Sequence, residues 1–154
     1  MRPDFLATLA AVPENRAVLS VLRASAVARP SDDPLALDGF ELHTHPDLQE
    51  RLDQVVAGQP GGRSVGLYGV PGLAAANVIY AVARGTGRID FRIPAGARRE
   101  EILQHGGNSD SPFGPEWVVA DAWLRDLPSA AGTDLLRSWA AAAASMAVHG
   151  ADRA

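Results

Sequence analysis

Residues 77–93 constrain this chain more than any other stretch. Val78, Tyr80 and Val82 alternate with Ile79, Ala81 and Ala83; Gly85-Thr86-Gly87 follows; then Ile89, Phe91 and Ile93 alternate with Arg88, Asp90 and Arg92. A period of two sends successive side chains to opposite faces of an extended chain. Two such runs separated by a short glycine-bearing turn form an antiparallel hairpin. The polar set on the second run predicts a sheet with one packed face and one wet face, Arg88 and Arg92 lying together on the wet one.

The rest of the chain supplies partners for that hairpin. Residues 14–28 read as an amphipathic helix, with Val18, Leu19, Val21, Leu22 and Ala26 on its apolar side and Arg16 and Arg23 toward water. The segment Arg29-Pro30-Ser31-Asp32-Asp33-Pro34 stops it, because proline lacks an amide donor and disfavours helix just before it. Residues 37–42 are a strand candidate. His45-Pro46-Asp47 opens a second helix, with Asp47 near the positive end of the helix dipole and Leu48, Leu52, Val55 and Val56 along one side. Gly58-Gln59-Pro60-Gly61-Gly62 ends it. Residues 64–69 and 116–123 read as further strands, and residues 98–105 as a short helix closed by Gly106-Gly107. Ser129 or Thr133 caps a last, alanine-rich helix through Leu135, Leu136, Trp139 and Met146.

The expected architecture is a single α+β domain over residues 35–149, an antiparallel sheet of four or five strands flanked by helices. Residues 1–34 form an N-terminal helical extension packed on it, and residues 150–154 form a disordered tail. With 154 residues, 47% of them hydrophobic, the chain is long enough to bury a core of its own. No window approaches the roughly 18 apolar residues that cross a bilayer, so no membrane partner is expected. Glu14, Asn15, Arg16 and Arg23 interrupt the apolar run an export signal requires, which makes the cytoplasm the expected location. The absence of cysteine excludes a disulfide framework, a thiol nucleophile and a cysteine zinc site. All fourteen basic residues are arginine, and with the alanine load this suggests a GC-rich bacterial source. The net charge of −4 disfavours a general nucleic-acid binder, leaving only a local patch of Arg84, Arg88 and Arg92 to support one.

Those arginines are the leading site candidates. Arg88 and Arg92 share a strand face, Arg84 precedes the turn, and a guanidinium offers a planar fork of donors to a phosphate or carboxylate. Asp90 sits between them and can instead neutralise the face. Tyr68, Trp117 and Trp123 are core or core-edge aromatics by type, with Tyr68 retained as a ligand-binding candidate. Glu100, Glu101, Asp121 and Asp126 read as solvated acids. No Gly-x-Ser-x-Gly elbow or lysine-bearing phosphate loop occurs.

A second chemistry is suggested by Glu41-Leu42-His43-Thr44-His45-Pro46. Histidines two apart on an extended strand point the same way, so His43 and His45 can reach one zinc ion. The string resembles the His-x-His-Pro element of JAMM-type metallopeptidases. In this chain Asp53 stands at that family's serine position and Val56 at its aspartate position, so Asp47 or Asp53 would have to supply the third ligand of a metal-dependent hydrolase. The plain alternative has His43 ending an edge strand and His45 capping a helix.

From His45 to Met146 the order of elements resembles the small α/β domain shared by the TfoX N-terminal family and the MmcQ/YjbR-like proteins. A helix precedes Gly66-Leu67-Tyr68-Gly69 at the glycine-rich turn, Tyr80-Ala81 stands at the aromatic-alanine strand position, Arg92 at the basic strand end and Trp117-Val118 at the tryptophan strand. Trp139 lies in the closing helix. The resemblance implies an α+β domain with no catalytic set, sometimes associated with transcriptional regulation or DNA. The function expected is therefore a non-enzymatic binding or regulatory module that needs no cofactor, its ligand a protein partner or a small anion. The metal-dependent hydrolase at His43 and His45 is the alternative.

Overall fold

A computed structural model of the chain describes residues 3–28, 44–56 and 62–153. Two helices come first, α1 (Pro3–Ala10) and α2 (Arg16–Ala28), joined through a 3₁₀ turn at Pro13–Asn15. Next is α3 (Pro46–Val56), then four consecutive strands: β1 (Arg63–Leu67), β2 (Val70–Ala75), β3 (Val78–Arg84) and β4 (Arg88–Arg92). The chain closes with α4 (Ala97–Gln104), β5 (Trp117–Asp121) and α5 (Ser129–Arg153). The strands form one antiparallel sheet in the order β1-β2-β3-β4-β5, so this is an α+β domain with an N-terminal helical extension. Among the described residues no helix is long and apolar enough to cross a membrane. The strand candidate at residues 37–42 lies outside the described residues.

The hairpin at the centre of the sequence is present, with Arg84 opposite Arg88 and Ala81 opposite Phe91. Strand β2 is an addition to the sequence reading, which gave residues 70–76 no element. It is bounded by two-residue turns, Tyr68-Gly69 and Ala76-Asn77, in which all four residues have positive φ, the backbone geometry of type I′ hairpins. Proline is tolerated because pairing with β3 begins only at Gly72, so the missing amide of Pro71 costs no ladder bond. Gly72 is required by contact: a Cβ there would lie 2.7 Å from Leu67 Cδ1 and 2.9 Å from the Ala81 carbonyl.

The strict alternation expected along β3 is also corrected. Ile79 faces Ala74 and Ala81 faces Leu73, which leaves Tyr80 as the extra residue of a β-bulge. Tyr80 and Ala81 therefore both pack on the side of α3 and α5, while Ile79 and Val82 pack on the other.

Nor is either face of the sheet wet along its length. One face is covered by α3 and α5 through Leu48, Leu52, Val55, Leu136, Trp139, Ala140, Ala143 and Ala147. Alanines at helical spacing bring α5 close to the strands, and Trp139 fills the space beyond them. The opposite face is covered by Leu9, Val18, Leu19 and Leu22 of the N-terminal helices and by Phe113 and Trp117, which meet edge to face at 5.2 Å between centroids. Coverage by segments distant in sequence is what the local alternation could not reveal.

Asn15 locks the extension to the sheet. Fully buried, it donates from Nδ2 to the carbonyls of Leu9 and Asn77, each at 2.8 Å, and its Oδ1 accepts from the Ile79 amide at 2.8 Å. The helix α5 continues to Arg153, past residue 149 where the sequence reading ended the domain and placed a disordered tail.

Candidate functional site

Strand register puts Arg84, Arg88, Asp90 and Arg92 on one face, since Arg84 pairs with Arg88, Val82 with Asp90 and Arg92 with Trp117. Asp90 is fully buried there. Arg84 grips it with two parallel bonds, Nε to Oδ1 at 2.8 Å and Nη2 to Oδ2 at 3.0 Å, and Ser111 Oγ donates to Oδ2 at 2.6 Å. Burial pushes the Asp90 carboxyl above its ordinary range, and Arg84, the Ser111 bond and the charge of Arg88 pull it back. The Arg84 guanidinium also lies over the Phe113 ring, 5.6 Å from its centroid.

The remaining members of the group differ in how far they are satisfied. Arg92 Nη2 donates to Glu116 at 2.7 Å, so this guanidinium is held at the sheet's far end. The Arg88 side chain is exposed, and among the described residues no hydrogen bond or ion pair engages its guanidinium. Its cross-strand neighbours are Arg84 on one side and Asp121 on the other, and Asp121 Oδ1 accepts the Trp123 amide at 3.0 Å. Tyr68 takes the first position of the β1–β2 turn, half-buried against the apolar cluster beneath the N-terminal helices. The structure thus brings the three arginines onto one face, ties two of them to carboxylates and leaves Arg88 open.

His43 lies outside the described residues. His45 holds the start of α3: its Nδ1 accepts the Asp47 amide at 3.1 Å, and its carbonyl accepts the amides of Leu48 and Gln49. Its own amide donates to the Gly85 carbonyl at 2.8 Å, while Thr44 Oγ1 donates to the Ala83 carbonyl at 2.6 Å, which fastens this segment to the β3–β4 turn. Asp47 and Asp53 are exposed on α3. Among the described residues no group of three His, Cys, Asp or Glu is placed to hold a metal ion.

Two further polar groups were not legible as special. Glu101 accepts the Trp139 indole at 2.7 Å and pairs with Arg98 at 3.1 Å, tying α4 to α5, and the indole bond chiefly holds its carboxyl below the usual range. His105 sits against Trp139 with its Nδ1 3.6 Å from Asp126.

The second group is Arg51, only 7% exposed. Its Nε donates to the Ala122 carbonyl at 3.0 Å and its Nη1 to Thr133 Oγ1 at 2.6 Å, and the Trp123 ring lies 5.7 Å from the guanidinium carbon. A signal for it existed: Arg51 stands three residues after Leu48 and four before Val55, inside the apolar stripe of α3. No protein-family model, curated protein or solved structure matches this chain.

Proposed function

We propose that this chain is a non-enzymatic binding module that recognises an acidic group of a protein partner at the Arg84–Arg88 pair. The carrying observation is the contrast between the two guanidiniums. Asp90 fixes the fork of Arg84 with two bonds and leaves its Nη1 out of both, while its neighbour Arg88 is exposed and unengaged. One oriented donor beside one adaptable donor suits a carboxylate or phosphate oxygen pair. Exposed charge contacts contribute about 1 kcal/mol or less each, so a bare small ion would bind weakly, and a partner presenting more surface fits the site better. The order of a helix, the glycine-bearing turn at Gly66–Gly69, the Tyr80-Ala81 strand and the Trp117 strand supports kinship with the TfoX N-terminal and YjbR-like domains within the same proposal.

The test is a titration of the full chain with a tetraglutamate peptide and with inorganic phosphate, following the arginine side-chain resonances. Saturable shifts at Arg84 and Arg88, lost in Arg88→Ala and retained in Arg92→Ala, are expected. Shifts that survive Arg88→Ala, or none with either probe, would overturn the proposal.

A further inference from the structure

Asp121 stands beside the Arg84–Arg88 pair. Register places Arg84 of β3, Arg88 of β4 and Asp121 of β5 opposite one another, so the three form a row across adjacent strands on one face. The row reads plus, plus, minus. Asp90 answers the first of these charges, whereas no ion pair among the described residues joins Arg88 to Asp121. Asp121 is half-buried, and its two oxygens differ. Oδ1 accepts the Trp123 amide at 3.0 Å, and no hydrogen bond among the described residues engages Oδ2. Gly106 lies beside that oxygen with no side chain to cover it; a Cβ there would stand 3.9 Å away. The carboxylate is thus held by one oxygen and offers the other.

A second acidic group lying along this row would meet Asp121 and be repelled, whereas a cationic group there would be paired. We propose, resting on the acidic-group reading of Arg84 and Arg88, that Asp121 sets the specificity of the site. The protein segment bound there carries a cationic side chain for Asp121 Oδ2, two residues from the acidic side chain that the arginines hold. Strand spacing supplies the interval. Neighbouring strands lie about 4.8 Å apart, so the midpoint of β3 and β4 is about 7 Å from β5. Alternate residues of an extended chain point the same way and stand about 6.6 Å apart. A segment of the form Glu-x-Lys, lying across the strands, therefore turns its carboxylate to the arginines and its ammonium to Asp121.

The experiment titrates the full chain with three end-capped peptides, Gly-Glu-Gly-Lys-Gly, Gly-Glu-Gly-Gln-Gly and Gly-Glu-Gly-Glu-Gly, following the arginine side-chain resonances. The native chain should bind the lysine peptide about fivefold more tightly than the glutamine peptide, the size of one exposed ion pair, and the glutamate peptide most weakly. Asp121→Asn keeps an oxygen for the Trp123 amide while removing the charge, so the turn survives and the preference should vanish. Asp121→Glu restores the charge and should recover most of the preference, and Arg88→Ala should weaken all three peptides. Equal affinities in the native chain, tightest binding of the glutamate peptide, or a lysine preference that survives Asp121→Asn would overturn the role of Asp121 and leave the arginine pair standing. No saturable response to any peptide, or responses unchanged in Arg88→Ala, would overturn the arginine reading itself and the role of Asp121 with it.

Discussion

Replacing Tyr80 by phenylalanine should make the protein more stable, and increasingly so as the solution becomes alkaline. The Tyr80 hydroxyl is fully buried at the β3 bulge and has no hydrogen-bond partner among the described residues. A buried hydroxyl without a partner costs about 1–3 kcal/mol, so deleting it while keeping the ring should raise stability near neutrality by about 1 kcal/mol after the loss of a little packing. Burial also pushes the phenol from its ordinary 10.0 up to about 12. An acid whose folded value is raised lends stability that is complete below the unfolded value and disappears as pH climbs through the folded one. In the native chain the unfolded state begins to gain from ionisation near pH 10. By about pH 11 the penalty reaches about 1.4 kcal/mol, and well above pH 12 it reaches about 2.7 kcal/mol. The chain has no lysine and no cysteine, so the two tyrosines are the side chains that dominate this window. Urea unfolding at about pH 8 and about pH 11, followed by tryptophan fluorescence, measures both effects. A Tyr80→Phe protein that is less stable at neutrality would show that the hydroxyl is satisfied. An alkaline loss as large as that of the native chain would show that the phenol is not the group responsible.

Three other substitutions probe separate features. Asn15→Leu keeps the branched shape but strands the Ile79 amide and takes a donor from the Leu9 and Asn77 carbonyls, and should cost about 3 kcal/mol or more in urea unfolding. Gly72→Ala drives a methyl group into Leu67 and the Ala81 carbonyl and should cost about 1–3 kcal/mol, measured as a drop in thermal midpoint with no gain elsewhere in the hairpin. Asp90→Asn removes the charge that Arg84 holds and should cost about 3 kcal/mol, with a compensating Arg84→Met change restoring most of it in a double-mutant cycle.

Legibility from sequence followed the range of the interaction involved. The β3–β4 hairpin, the start of α3 at Pro46 and the alanine-rich α5 depend on neighbours within a turn or a strand, and each stands where local pattern puts it. Strand β2 escaped because its turns use Tyr68-Gly69 and Ala76-Asn77 in place of the usual Asn-Gly, and because Gly72 is dictated by Leu67 pressing across from β1. The arginine face was legible as a register but not as a chemistry: Ser111 bonds the buried Asp90 and Phe113 lies against Arg84, both more than twenty residues further along the chain. The Tyr80 bulge leaves no mark in an unbroken apolar run. Arg51 was the one missed signal that local spacing did contain, a charge at a stripe position of α3.

The contact between Asn15 and Ile79 spans 64 residues, and it orders events in time. A chain made from its N-terminus releases α1 and α2 well before the surface that receives them exists. Leu19 and Leu22 must wait, uncovered, until β3 has emerged and paired with β2, whereas the meander itself closes through neighbours and can form promptly. The N-terminal helices therefore dock only after β3 is in place, although they are the first to be synthesised. A nascent chain halted between α2 and β3 would carry a bare leucine stripe, a target for a chaperone or for another unfinished copy.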